Sequence, residues 1–168
     1  MLSNVRPFTS WQNVNNLKAE PEKVERNVTA ALKHLRFCVD LCARQWKAGR
    51  FFLFEHPMTA VSWASEMLHW LGSRDGVNKV SFDFCALGMR STMPSGHEGP
   101  ALKRTSVLTN SGHIGALLSK AKCRGMHEHV RLEDGRPAAA QIYPEIFCDA
   151  VCHGLKQELD DHKWLDKV

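Results

Sequence analysis

The feature that most constrains this chain is the junction at Gly49, where a long amphipathic pattern stops and an uninterrupted apolar run begins. Before it, Val24, Val28, Ala31, Leu32, Leu35, Val39, Cys42 and Trp46 recur at steps of three and four. That is the period of one face of an α-helix. Pro21 suits a first helical turn, where a missing N–H costs nothing, and Gly49 supplies the stop. The spacing predicts a helix of about seven turns. Residues 51–54 (Phe-Phe-Leu-Phe) are too few for a helix and read as a strand buried on both faces. A strand entered from a helix through one Gly-Arg turn is the second half of a parallel βαβ unit.

The remaining pattern alternates in the same way. Thr59 can cap a helix carrying Val61, Trp63, Met67, Leu68, Trp70 and Leu71. Residues 79–84 alternate Val80, Phe82 and Phe84 against Ser81 and Asp83, a second strand. Residues 86–102 hold Gly88, Pro94, Gly96, Gly99 and Pro100 and read as a long, functional or disordered loop. Residues 105–109 make a third strand, Ser111 caps a helix with Ile114, Leu117 and Leu118, residues 123–137 read as irregular or hairpin, and Pro144 opens a last helix. The expectation is a single α/β domain over 1–168: an irregular lead-in (1–19, where Trp11 can dock on the body), a body (20–159) and a polar tail (160–168). Its sheet is expected to be mostly parallel and covered by helices. In such sheets ligands gather at the carboxyl ends of strands, here Glu55-His56-Pro57, Asp83-Phe84-Cys85 and Thr109-Asn110.

Composition narrows the function classes. The chain is 43% hydrophobic, carries a net charge of +4, and has no apolar run long enough to span a bilayer. No signal peptide is recognisable at the start, so an intracellular, cytoplasmic or nuclear setting is expected, with no membrane partner. The mild positive excess permits a nucleic-acid partner without demanding one. Six cysteines in a chain with no export signal read as reduced thiols. Cys38/Cys42 and Cys148/Cys152, each spaced by four in helical patterns, read as small buried hydrophobes. Dinucleotide, P-loop and nucleophile-elbow fingerprints are all absent.

Three constellations could carry chemistry. Glu55 and His56 leave a buried strand together, where a carboxylate can hold a proton or meet a polar base edge, or else cap a helix or pair with a cation. Cys85, Cys123, His127 and His129 offer the thiolates and imidazoles that zinc prefers. No CxxC or HxxxH pair supports that set, so structural thiols with surface histidines are the alternative. Lys103 and Arg104 precede a strand that ends at Asn110, a combination able to hold phosphate and read a base, or equally to form a charged strand entry and a turn.

Taken in order, FLFEHPMTAVSW, FDFCALGM, ALKRTSVLTN, CRGMHEH and AAAQIYPEIFCDAVCHGL resemble a domain of Copia-type retrotransposon polyproteins of protists, itself similar to the catalytic-fold half of cytosine-C5 DNA methyltransferases. The resemblance runs from about Trp11 to Leu155. It implies a partial Rossmann-like methyltransferase fold, with Glu55 standing at the glutamate that contacts the base. It sets residues 103–110 beside a Lys-Lys-Pro-Thr…Thr-Asn signature in which Arg104 replaces the proline. The position of the Pro-x-Cys nucleophile loop holds residues 3–7 (Ser-Asn-Val-Arg-Pro), without cysteine, and no Gly-rich S-adenosylmethionine loop is visible. C5 transfer needs both nucleophile and methyl donor. The resemblance therefore implies a degenerate or truncated, non-catalytic domain able to bind nucleic acid. The alternatives are half of a split methyltransferase, whose partner chain supplies the cofactor loop, and a zinc-stabilised interaction module.

Overall fold

A computed structural model describes residues 20–93, 95–132 and 142–162. The lead-in, with Trp11 and residues 3–7, lies outside the described residues, as does the end of the tail. Helix α1 (Pro21–Lys47) starts at its proline and ends in a turn where Gly49 has φ +69°. Strand β1 (Leu53–Pro57) follows, then a 3-10 turn (Val61–Ala64) and helix α2 (Glu66–Gly72). The cap of α2 is Ser65, not Thr59: its side chain accepts from Leu68 N. Strand β2 (Asn78–Asp83) runs into a second 3-10 turn (Phe84–Leu87). The stretch read as a loop contains the hairpin β3 (Arg90–Thr92) and β4 (Glu98–Leu102). Then come β5 (Arg104–Thr109), α3 (Gly112–Ser119), β6 (Val130–Arg131) and α4 (Glu145–Asp161).

The sheet is not mostly parallel, and the expected Rossmann-like arrangement is overturned. There are two small sheets, β1-β5-β2 and β3-β4-β6. In the first, β5 lies between β1 and β2 and is antiparallel to both. In the second, β3 and β4 are antiparallel while β4 and β6 are parallel. The connection explains the error. Between β1 and β2 the chain crosses through α2, and those two strands do run the same way. Between β2 and β5 it passes through a hairpin with no crossover helix, and nothing then imposes the parallel direction.

Alternation along the strands sends side chains to two cores. On one face Ala31, Leu35, Val39 and Cys42 of α1 pack with Phe52, Leu68, Leu71 and Leu108. On the other, Phe82, Phe84, Val107, Ile114, Leu118 and Phe147 pack together. Helices α3 and α4 cross closely at Gly154, where a Cβ would lie 2.8 Å from Ile114 N. Buried Glu158 of α4 accepts hydrogen bonds from Ser111 Oγ (2.7 Å) and His113 N (2.9 Å), closing the N-terminus of α3. Because Phe147, Gly154 and Glu158 form the buried face of α4, Cys148 and Cys152 are exposed, contrary to the expectation of buried thiols. Cys42 is buried, and burial pushes its thiol up to about 12.

The two outer strands of the first sheet are finished differently. The segment after α3 lies along β2: Asp83 N donates to Ala121 O (2.9 Å) and Lys122 Nζ to Ser81 O. Strand β1 pairs only with β5 among the described residues. Phe52 N and Met58 N bond toward the β5 side, so by the two-residue period the backbone groups of Leu53 and Glu55 face outward. That edge borders a cavity of about 340 Å³ whose opposite wall is α1, at Ala31, Leu35, Cys38 and Cys42.

Candidate metal centre

Strand β2 ends at Asp83, whose Oδ2 accepts from Cys123 N at 2.9 Å. This bond brings the loop after α3 against the 3-10 turn that carries Cys85. Gly125, with φ +71°, turns that loop back, and its N–H donates to Cys123 Sγ (3.3 Å). His127 and His129 follow before the chain joins β4 through β6, Ala101 opposite Val130. The four sequence-predicted ligands therefore converge: Cys85 Sγ, Cys123 Sγ and one ring nitrogen from each histidine all lie within 4.8 Å of one another.

The spacing matches a coordination shell. Cys123 Sγ is 3.5 Å from His127 Nε2 and 3.4 Å from His129 Nε2. His129 Nε2 is 3.3 Å from Cys85 Sγ, and the two Nε2 atoms are 3.0 Å apart. A tetrahedral zinc with bonds of about 2.05 Å to nitrogen and 2.3 Å to sulfur has N···S edges of about 3.5 Å and an N···N edge of roughly 3.3 Å. Four electron-pair donors this close repel unless protons or a cation lie between them. Burial, with the neighbouring Cys123 and Asp83, pushes the Cys85 thiol up to about 11, an effect that a bound cation reverses. The cluster could hold a metal ion.

The other sequence-predicted residues do not share one surface. Glu55 Oε2 accepts from Tyr143 OH (2.9 Å), and Glu55 Oε1 lies 3.9 Å from Lys103 Nζ. Lys103 sits over the Phe84 ring, 4.4 Å from its centroid. Burial lowers its pKa, against the Glu55 charge, which raises it. His56 points to the opposite face of β1, fully buried, bonded to Ser62 and edge-on to Trp63. Burial, and then the Lys79 charge, holds it down at about 4. Arg104 pairs with Asp83 (3.6 Å). Asn110 is at the other end of β5, roughly 20 Å from Arg104 at the rise of a strand. It accepts from Phe52 N (2.9 Å) and donates to Arg50 O (3.0 Å), which fixes the entry of β1.

Sequence reasoning missed Asp83 as the anchor of the Cys/His loop, Tyr143 as the partner of Glu55, and Glu158. Asp83 left a signal, being a polar residue that ends an alternating strand; Tyr143 and Glu158 left none beyond residue type. Among the described residues no helix is long and apolar enough to cross a membrane. No protein-family model, no curated protein and no solved structure matches the chain.

Proposed function

We propose that this chain is a zinc-stapled binding module with no metal chemistry of its own. One observation carries the reading: four donors of the types zinc prefers converge at tetrahedral spacing. Four protein ligands leave no open position for water or substrate, the arrangement of a structural site and not of a catalytic one. The ion would join the end of β2, the loop after α3 and the small sheet, adding to the Asp83 bonds and the β4–β6 pairing that already link them.

Metal analysis of the purified chain tests this. One zinc per chain is expected, falling well below one in Cys123→Ser and in His129→Ala. A chain that neither carries zinc nor gains thermal stability on its addition ends the proposal.

The partner we propose is nucleic acid, which keeps the non-catalytic side of the methyltransferase and mobile-element resemblance and moves the contact surface. Segment 120–131 carries Lys120, Lys122, Arg124 and Arg131 against one carboxylate, Glu128. Binding to a labelled single strand should weaken steeply with salt, and Arg124→Ala should lower the salt slope by about 1. Binding absent at low salt removes this partner and leaves the zinc reading standing.

A further inference from the structure

The proposed zinc shell draws two thiols from separate parts of the chain and no carboxylate. Building on the zinc reading, we propose that the centre is a peroxide-responsive switch, in which Cys85 and Cys123 close into a disulfide and expel the metal. Their Sγ atoms lie within 4.8 Å, and an S–S bond of about 2.05 Å brings them under 3 Å closer. The two thiols differ in how they are held. Cys85 sits in the 3-10 turn between buried Phe84 and Leu87, while Cys123 belongs to the irregular segment between α3 and β6. With the Cys123 backbone held by Asp83, its side chain can turn toward a fixed partner.

The chemistry needs one co-reactant, hydrogen peroxide. Zinc keeps both cysteines as thiolates, the nucleophilic form. One thiolate sulfur attacks the O–O bond, forming a sulfenic acid and releasing hydroxide. The second thiolate attacks that sulfur; the S–S bond forms, the S–O bond breaks, and a second hydroxide leaves. Two thiolates have lost two electrons, and peroxide has gained them. The metal then keeps only two neutral imidazoles, His127 and His129, and departs to water. The disulfide retains the link between the end of β2 and the loop, so oxidation frees segment 124–129 without cutting the staple.

The test titrates hydrogen peroxide into the full zinc-loaded chain, following released zinc with a chromogenic chelator and mapping disulfides by mass spectrometry after alkylation. One zinc should leave for each Cys85–Cys123 disulfide formed, and a thiol reductant with added zinc should restore the starting state. The double variant C148S/C152S, which removes the exposed thiols of α4, should respond like the parent. Zinc that stays bound while thiols elsewhere oxidise overturns the switch. So does release that accompanies sulfinic acid or a different disulfide. A chain that binds no zinc at all fails earlier, at the zinc reading, and the switch falls with it.

Discussion

Gly154→Ala should destabilise this protein, although the same change in an exposed helix is favourable by about 1 kcal/mol. The added Cβ would lie 2.8 Å from both Ile114 N and Ile114 Cγ1 and 2.9 Å from Ile114 Cα. A side-chain atom can rotate away; the backbone N and Cα of α3 cannot. To reach ordinary contact of about 3.5–4 Å, the helices must separate by roughly 1 Å. Overpacking of this kind costs about 1–3 kcal/mol. The same separation stretches the bonds from Ser111 Oγ and His113 N to Glu158, and losing one bond to a charged group costs about 1.5–3 kcal/mol. Set against the helix-propensity gain, the net loss is roughly 1.5–5 kcal/mol. For a chain of this size each kcal/mol moves Tm by about 2–4 °C. Urea unfolding monitored by circular dichroism measures it. Ile114→Ala should not rescue the variant, because the backbone obstruction remains. A higher urea midpoint for Gly154→Ala would refute the close crossing and the reasoning with it.

Two further outcomes follow from buried polar groups. His56 has its folded pKa held at about 4, below the ordinary value of about 6.5, so the unfolded chain takes up a proton first as the pH falls. Stability should be full above about 6.5 and drop by up to roughly 3 kcal/mol on approach to 4. The urea midpoint at pH 7 and 4.5 checks this, and an equal drop in His56→Gln would assign the loss to other groups. Tyr143→Phe removes the hydrogen bond donated by the tyrosine hydroxyl to Glu55 and should cost about 1.5–3 kcal/mol. Thermal melts of the variant with and without Lys103→Met should show the two changes to be non-additive, since both act on Glu55; strict additivity would dissolve the triad.

Local periodicity made much of the fold legible. Steps of three and four from Val24 to Trp46 marked α1, and the alternation around Phe82 marked β2. Strand direction was not legible, because it depends on what joins two strands, and the joining segment 86–102 looked like a loop. Its strands are short and contain Gly99 and Pro100, residues that read as breaks. The Cys/His cluster was legible from ligand type alone, although its spacing fits no common zinc pattern. It is assembled by two features remote in sequence, the Asp83 carboxylate and the Gly125 turn. The role of His56 was hidden because periodicity placed it at a strand end without showing that Ser62 and Trp63 close over it.

The unequal finish of the first sheet has a consequence for self-association. At the end of β2 the segment after α3 occupies outward groups of Ser81 and Asp83, and along β1 the outward backbone of Leu53 and Glu55 faces the cavity walled by α1. A strand from a second copy would have to displace α1 to reach β1, so the helix guards that edge against pairing. Stripping the segment after α3 would bare the end of β2 to a neighbouring strand. Ala121 O and Lys122 Nζ thus shield one margin of the sheet, and α1 shields the other.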